Sequence, residues 1–271
     1  ILNLWKEDIE VNLGEATTLS GEYAFKSLKE ATKSLANGEI DVLVTAPINK
    51  DNIQSEDFKF PGHTEYLESQ LEGESLMILM SENLRIGLIT GHIPVSKISE
   101  TITAELIQSK VAILYKTLIE DFAISKPKIA ILGLNPHCGD NGVIGTEDDT
   151  IIRPTIAEIQ ETGKIIYGPY AADSFFGSGN YKNFDAILAM YHDQGLAPFK
   201  TLAFGGGVNY TAGLNKIRTS PDHGTAYELA GKDKANINSF KEAVFSAIQI
   251  FRTRSEYKSL TENVLKTSEQ K

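Results

Sequence analysis

Four short apolar segments, spread along the chain, constrain the fold more than any other feature of the sequence. Each is rich in β-branched residues or leucine and is bounded by glycine, proline or asparagine, as buried strands are. Helical patterns lie between them, and this alternation is typical of a largely parallel sheet covered by helices. The predicted strands are 41–47, 84–90, 128–134 and 184–190.

Helix signals fall in the intervening segments. Residues 23–36 carry apolar side chains at helical spacing, and Gly38 follows as a C-cap. Ser239 is a predicted N-cap for a helix near the C-terminus. The predicted helices are 23–36, 101–122, 155–162 (ending at Gly163) and 240–252.

Composition excludes several classes of function. The 271 residues carry a formal net charge of −10, which argues against a nucleic acid or an anionic membrane as the partner. No apolar run approaches the roughly 20 residues of a membrane span. The single cysteine, Cys138, cannot form an intrachain disulfide, which fits the cytoplasm. We interpret Cys138 as a small residue in a tight loop, with metal ligand or nucleophile as the less favoured interpretations.

Three of the five histidines come directly after predicted strands. His92, His137 and His192 each lie in the polar loop that follows one. Loops at the carboxyl ends of parallel strands meet at one edge of the sheet, where α/β proteins bind ligands. Three converging imidazoles would form a divalent-metal site with open positions for substrate. The competing interpretation, that each histidine satisfies hydrogen bonds in its own loop, is about equally supported by the residues alone.

Glycines and basic residues concentrate in the second half of the chain. Of the 22 glycines, 15 lie between Gly133 and Gly231, which suits close backbone approach to a ligand as well as ordinary tight turns. Lys200, Asn209 and Arg218 bracket a triple glycine and suit a phosphate or carboxylate, although each alone reads as a surface residue. Neither a P-loop nor a GxGxxG motif is present.

Several longer motifs resemble one known family, the 4-hydroxythreonine-4-phosphate dehydrogenases of vitamin B6 (pyridoxine and pyridoxal phosphate) biosynthesis. The resemblance covers about 41–240. It is carried by FPGHTE at 60–65, GLNPH at 133–137, GTE at 145–147, AMYHDQG at 189–195 and RTSPDHGTA at 218–226. It implies an α/β fold like that of isocitrate and isopropylmalate dehydrogenases, with two α/β/α lobes and a cleft between them. We assign residues 1–57 plus 225–271 to lobe one and 58–224 to lobe two. A Gly- and Pro-rich stretch expected near the family's N-terminus is missing here, so we expect the natural chain to begin earlier.

The resemblance also assigns roles to residues. It implies a metal site of His92, His137 and His192 at the interface of a homodimer, with ligands from both subunits. The positions that match substrate contacts are His63, Thr64, Lys200, Asn209 and Arg218. Weaker candidates for orienting the reacting groups are Asp173 and Asp193.

Residues 223–232 are similar to the adenosine-binding loop of the isocitrate and isopropylmalate dehydrogenases. In that loop an acidic residue at the position of Glu228 would accept hydrogen bonds from the ribose 2′-OH and repel a 2′-phosphate, which predicts NAD as the cofactor. The alternative is a glycine-bearing loop that leads into a helix. The predicted cofactor contacts are His223, Gly224, Thr225, Ala226, Glu228 and, less directly, Asn236.

The activity that the resemblance implies is NAD-dependent oxidation and decarboxylation of 4-phosphohydroxy-L-threonine to 3-amino-2-oxopropyl phosphate, with one divalent metal (Zn, Mg, Mn or Co) per site. The same chemistry on D-threonate or erythronate 4-phosphate is the first alternative. A phosphate acyltransferase of the wider fold is a more distant alternative, which should need neither the three histidines nor Glu228 and which a test of NAD binding would discriminate. A catalytically silent phosphometabolite-binding protein is another, and the intact His92, His137 and His192 argue against it.

Overall fold

The computed structural model describes residues 1–203 and 205–264 of the chain. These residues form two compact units, one of Ile1–Asn83 with Leu196–Ala247 and one of Leu84–Gly195 with the described residues from Ile248 onward. The lobes predicted from the sequence have different bounds and stay a prediction; residues 265–271 of predicted lobe one lie outside the described residues.

Eight strands and eight α-helices are described, together with short 3-10 and π segments. In chain order the strands are β1 Val42–Val44, β2 Gly73–Ser81, β3 Leu84–Leu88, β4 Lys128–Leu132, β5 Ile165–Tyr170, β6 Ala186–Ala189, β7 Val208–Leu214 and β8 Ile217–Pro221. The helices are α1 Thr18–Ala36, α2 His63–Gln70, α3 Ile98–Thr101, α4 Ala104–Glu120, α5 Arg153–Glu161, α6 Ala172–Gly177, α7 His192–Leu202 and α8 Asn238–Thr261.

The strands of the first unit follow the order β1-β8-β7-β2. β1 pairs with β8 in parallel, whereas β7 is antiparallel to both β8 and β2. The turn between β7 and β8 spans only two residues, which is compatible with an antiparallel pair and not with a parallel one. The largely parallel sheet predicted from the sequence is therefore a mixed sheet in this unit.

The strands of the second unit follow the order β3-β6-β4-β5, and every pair is parallel. Three of the four predicted strands are here, and β3, β6 and β4 are direct neighbours. Residues Ile129, Ala130, Ile131 and Leu132 of β4 are fully buried, as in a sheet covered on both faces. The prediction that three histidine-bearing loops leave one edge of a parallel sheet is confirmed.

The predicted helices exist, but several bounds were wrong. α1 begins earlier than residue 23 because Thr17 caps it, its hydroxyl accepting from the backbone N–H of Ser20. Predicted helix 101–122 is broken at Ile102 because the Thr103 hydroxyl accepts from the N–H of Leu106 and starts α4 anew. Ser239 is not an N-cap: it lies inside α8, which continues to Thr261.

Two apolar clusters underlie the first unit. Leu28, Ile53, Phe58 and Tyr66 form one, and Leu35, Leu43, Leu67 and Leu214 the other. Both clusters include residues of α2, so the N-terminal end of this helix has a fixed position in the unit. No helix among residues 1–203 and 205–264 is long and apolar enough to cross a membrane.

Candidate active site

The loops after β3 and β6 bring two of the predicted metal ligands together. The parallel register pairs Leu88 with Ala189. The pairing continues beyond the strands, because the N–H of Ile89 donates to the carbonyl of Ala189 at 2.8 Å. His92 and His192 therefore emerge side by side, and their ring centroids lie 5.5 Å apart.

This separation is compatible with a shared ion. Two imidazoles bound to one tetrahedral ion, with metal–nitrogen distances near 2 Å, have ring centroids about 5 Å apart. Nδ1 of His192 lies 2.7 Å from Oδ1 of Asp193. If the carboxylate accepts the Nδ1 proton, Nε2 is left as the metal-binding nitrogen, an arrangement common at metal sites.

His137 lies in an unusual loop after β4. All six residues 137–142 have positive φ angles, from 44° at Asp140 to 87° at Gly142, and four of them are not glycine. Such backbone is strained for an L-residue and persists only where its surroundings hold it. Gly139 also needs to lack a side chain, since a Cβ there would lie 2.5 Å from the carbonyl oxygen of Gly145.

Two acidic residues hold this loop. Fully buried Asp148 accepts hydrogen bonds from the backbone N–H groups of Leu134 and Asn135, both at 2.9 Å. Glu147 accepts from the Ser99 hydroxyl at 2.5 Å and from the Asn135 amide at 2.8 Å. The Ser99 hydrogen bond is the first cause that lowers the pKa of Glu147 to about 2, followed by backbone and Asn135 hydrogen bonds.

His137 itself is exposed, and its charge is one of the smaller causes that lower the pKa of Asp173, after hydrogen bonds from Ser174. Within the part of the chain that the structure describes, no three His, Cys, Asp or Glu side chains are grouped closely enough to hold a metal ion. The chain thus pairs His92 with His192 and leaves His137 apart from them. Cys138 is buried and burial raises the pKa of its thiol, in agreement with its interpretation as a small loop residue.

The first unit holds a second group of predicted site residues, around Arg218. This side chain is only 4% exposed. Its Nε and Nη2 donate to the Thr45 hydroxyl at 3.0 and 2.7 Å, and its Nη1 donates to the Thr211 hydroxyl at 3.2 Å. The strand registers explain the contacts, since Thr211 lies opposite Arg218 across β7 and β8 and Thr45 follows β1 on the other side.

These bonds fix the guanidinium without neutralising it, because both partners are uncharged hydroxyls. Burial lowers the pKa of Arg218 to about 10, and the charge of Glu65 opposes that shift. The pKa still lies well above neutrality, so Arg218 carries its charge at physiological pH. We refer to His63, Lys50, Arg218, Thr45 and Thr211 as the Arg218 cluster.

His63 is the first residue of α2, and it lies within the electrostatic field of Arg218. Burial, the charge of Arg218 and the charge of Lys50, in that order, lower the pKa of His63 to about 3. The imidazole is therefore neutral at physiological pH and can both donate and accept a hydrogen bond. Lys50 was missed in the sequence, where the one available signal was its place in the segment that follows the predicted strand 41–47.

Three further predicted substrate contacts, Asn209, Thr64 and Lys200, lie in the same unit. Oδ1 of Asn209 is buried and has no hydrogen-bond partner among the described residues. Thr64 is half-buried beside His63 on α2, and Lys200 is exposed on α7.

The predicted cofactor loop, 223–236, is exposed over most of its length. His223 Nδ1 lies 2.8 Å from the carbonyl oxygen of Gly224, Ala226 has a φ of 50°, and Glu228 lies in a one-turn 3-10 helix. Oδ1 of Asn236 accepts from the N–H of Asn238 and so caps the start of α8. Gly224 and Thr225 are exposed in the same loop.

Ser239 anchors the base of that loop. Its hydroxyl lies 2.6 Å from the carbonyl oxygen of Gly207 and 3.2 Å from Oδ1 of Asp222. A Cβ at Gly207 would lie 2.2 Å from Oδ2 of Asp222, which is why the last residue of the triple glycine has no side chain. The buried serine that the sequence suggested as a helix cap thus joins the glycine-rich loop to the predicted cofactor loop.

Comparison with known proteins places these features in a family. Residues 2–247 match the family described as pyridoxal phosphate biosynthetic protein PdxA. The 4-hydroxythreonine-4-phosphate dehydrogenase of Bacteroides thetaiotaomicron is 53% identical over 268 residues, covering 98% of this chain and 74% of that protein. The crystal structure of the Klebsiella pneumoniae 4-hydroxythreonine-4-phosphate dehydrogenase superposes with a TM-score of 0.75 at 35% identity, covering 88% and 73% of the two chains.

The relatives are dehydrogenases, and their structures have the isocitrate/isopropylmalate dehydrogenase-like α/β fold that this chain shares. The chain belongs to the PdxA family of 4-hydroxythreonine-4-phosphate dehydrogenases, enzymes of vitamin B6 biosynthesis. The resemblance stated from the motifs is thereby confirmed, and the acyltransferase alternative is set aside. Membership of a dehydrogenase family implies a nicotinamide cofactor.

Proposed function

We propose that this protein oxidises 4-phosphohydroxy-L-threonine with NAD and a divalent metal, and releases CO2 to give 3-amino-2-oxopropyl phosphate. The observation that carries the proposal is the Arg218 cluster. Arg218 is buried, charged and held by two neutral hydroxyls, and His63 beside it is kept neutral. A site of this kind fits a substrate with a phosphorylated end and follows the substrate that the relatives' names state.

The phosphate end would bind through the Arg218 guanidinium, the His63 N–H and Lys50. The proposal extends to Thr64, Lys200 and Asn209, whose Oδ1 has no hydrogen-bond partner among the described residues. Remote binding of this kind positions the reacting carbon, and it raises kcat only where it is stronger in the transition state than in the bound substrate.

His92, His137 and His192 are the proposed metal ligands, drawn from both subunits of a homodimer. The spacing of the His92 and His192 rings fits a shared ion, and the imidazole donors suit zinc, while a hydroxy-acid substrate would add oxygens that magnesium, manganese or cobalt also accept. A bound divalent ion would supply Lewis-acid polarisation of the substrate hydroxyl and carboxylate.

A homodimer is part of the proposal. His92 and His137 are exposed, and the described residues contain no three-ligand group, so ligands from a second subunit would complete the site. Exposed Val95 and Val143, in the segments that follow His92 and His137, are each 80% accessible, as expected of residues that a partner covers.

The chemistry places two demands on the chain. The hydroxyl must lose its proton as hydride leaves the same carbon for the nicotinamide, and the resulting β-keto acid then loses CO2. Asp173 and Asp193 are the proposed orienting carboxylates, the first near His137 and the second bonded to His192. Neither step requires a covalent bond to the protein.

NAD is the proposed cofactor over NADP. Glu228 is exposed in the loop that begins at His223, where its carboxylate would accept from a ribose 2′-OH and repel a 2′-phosphate. His223, Gly224, Thr225, Ala226 and Asn236 are the remaining proposed contacts. The cytoplasm is the proposed compartment, in keeping with a buried, unpaired Cys138.

The test is NADH formation by the natural full-length protein with 4-phosphohydroxy-L-threonine, run beside D-threonate 4-phosphate and with NADP in place of NAD. We expect turnover of the first substrate with NAD. A preference for D-threonate 4-phosphate would keep the chemistry and change the substrate, and the absence of NADH from either would overturn the proposal.

A further inference from the structure

The side chain of Ser239 joins the two ends of the predicted cofactor loop. Ser239 lies in the first turn of α8, three residues after the end of loop 223–236, and is buried. Its hydroxyl oxygen accepts from the backbone N–H of Asp222, the residue directly before that loop, at 3.3 Å. One buried hydroxyl therefore connects two points of the chain that are 17 residues apart.

The same hydroxyl ties the closed loop to the sheet of its unit. It donates to the carbonyl of Gly207 at 2.6 Å. Gly207 and Asp222 lie one residue beyond Val208 and Pro221, the last pair described in the β7–β8 ladder. Pro221 has no N–H to contribute to that ladder. The serine hydroxyl thus connects the two chain segments at the point where their own pairing ends.

The hydrogen bonds inside the loop do not hold its ends together. The loop is exposed over most of its length. The backbone hydrogen bonds that the structure describes within it are local, each joining residues three apart, such as Leu229 with Ala226. Closure by Ser239 therefore restricts the conformations that the loop can adopt before a ligand binds.

We propose that Ser239 is a positioning residue whose hydroxyl keeps the cofactor loop closed and thereby raises the affinity of the protein for NAD. The inference rests on the proposed function of loop 223–236. Ser239 does not touch the cofactor in this account, since it acts through the backbone of Asp222 and Gly207. A loop that is already closed loses less conformational freedom on binding, and the affinity gains from that difference.

The same helix offers a matched control. The hydroxyl of Thr219, on β8, is buried and donates to the carbonyl of Ala243 at 2.7 Å, one turn further along α8 than Ser239. Ser239→Ala and Thr219→Val each remove one buried hydroxyl that bonds to a backbone carbonyl. The Thr219 hydroxyl does not join the ends of the loop. A purely structural role for Ser239 therefore predicts equal consequences for the two variants.

The first measurement is isothermal titration of NAD into the natural full-length protein as wild type, Ser239→Ala and Thr219→Val, with thermal unfolding of each. We expect the Kd for NAD to rise about 10-fold in Ser239→Ala, the equivalent of one or two net hydrogen bonds. In Thr219→Val it should stay within about twofold of wild type. Both variants should lose thermal stability to a similar extent.

Trypsin measures closure of the loop without any cofactor. Lys232 and Lys234 are exposed in the loop and are sites at which trypsin cleaves. We expect faster cleavage there in Ser239→Ala than in wild type or Thr219→Val. Ser239→Cys covers the case in which Ser239→Ala does not fold. Its thiol is a weaker donor and acceptor than the hydroxyl, so smaller changes in the same directions are expected.

The outcomes separate the inference from the function on which it rests. An unchanged Kd for NAD in the folded Ser239 variants would overturn the inference alone. An equal rise of the Kd in Thr219→Val would assign the effect to general destabilisation and would overturn it as well. No NAD binding by wild type would overturn the proposed cofactor loop, and the inference with it.

Discussion

The Arg218 cluster and the histidine loops differ in how complete they are within one chain. Arg218 is 4% exposed, with its donors held by Thr45 and Thr211. His92 and His137 are exposed, and the chain pairs only His92 with His192.

The difference indicates what each region needs in order to bind. A buried, hydrogen-bonded cation is organised before its ligand arrives, so little ordering accompanies binding. Exposed imidazoles lose side-chain freedom when they converge on an ion, and in the proposed site they would gain their final geometry from the ion and from a second subunit. We therefore expect substitutions in the first region to change stability and KM, and substitutions in the second to change metal-dependent turnover.

The largest effect is expected from His92→Ala. Because His92 is exposed, the midpoint of thermal unfolding of the apoprotein should stay within about 2 °C of wild type. NADH formation should fall about 1,000-fold or more, since a ligand of the Lewis-acid ion is lost. An active variant would remove His92 from the proposed metal site; a strongly destabilised one would mean that the loop is structural.

Arg218→Lys should lower kcat/KM roughly 100-fold, because one ammonium cannot replace donors directed at two hydroxyls and at the substrate. The loss should appear mainly in KM, measured by NADH formation at saturating metal. Co²⁺ affinity should not change. A changed Co²⁺ affinity with an unchanged KM would contradict the assignment of this cluster to the anionic end.

Thr45→Val removes the hydroxyl that accepts two of the guanidinium's bonds and keeps the shape of the side chain. We expect KM to rise about 5- to 10-fold and the free energy of unfolding to fall by about 1–3 kcal/mol, the cost of unpaired buried donors. Thr101→Val is the control, since its hydroxyl bonds only within its own helical turn. An unchanged KM in Thr45→Val would mean that Thr45 does not contribute to substrate binding.

The smallest effect concerns His63 and pH. Its pKa is about 3 in the folded protein, against an unfolded value near 6.5. Between those two values the unfolded state binds one more proton, so stability attributable to His63 is present above pH 6.5 and is lost as pH falls. The slope is about 1.4 kcal/mol per pH unit.

Urea unfolding of wild type and His63→Gln at pH 7 and pH 5 measures this contribution. Wild type should lose more stability than the variant over that range. Equal losses would mean that His63 is protonated in the folded protein and that the Arg218 cluster does not suppress its charge.

The histidine region was predictable from the sequence to a greater extent than the Arg218 cluster. His92, His137 and His192 follow apolar runs that are local signals, and the parallel neighbours β3, β6 and β4 match that prediction. β7 and β8 were missed because their apolar pattern is interrupted by Asn209, Gly213 and Arg218. Polar side chains on a buried strand weaken the very periodicity that identifies it.

Long-range contacts account for most of the remaining differences. α8 extends to Thr261, past the predicted end at residue 252, and Arg254 in the added turns bonds both oxygens of Asp121 at 2.6 and 3.0 Å. The strained turn at residues 137–142 depends on Asp148, eleven residues beyond His137. Neither contact can be predicted from the local sequence around the residues that it stabilises.

The most direct test measures binding and turnover separately, with and without metal. Isothermal titration of 4-phosphohydroxy-L-threonine into EDTA-treated protein should detect binding through the Arg218 cluster, while NADH formation under the same conditions is absent and returns when Co²⁺ or Mg²⁺ is added. NADH formation without metal, or no substrate binding until metal is added, would contradict the account.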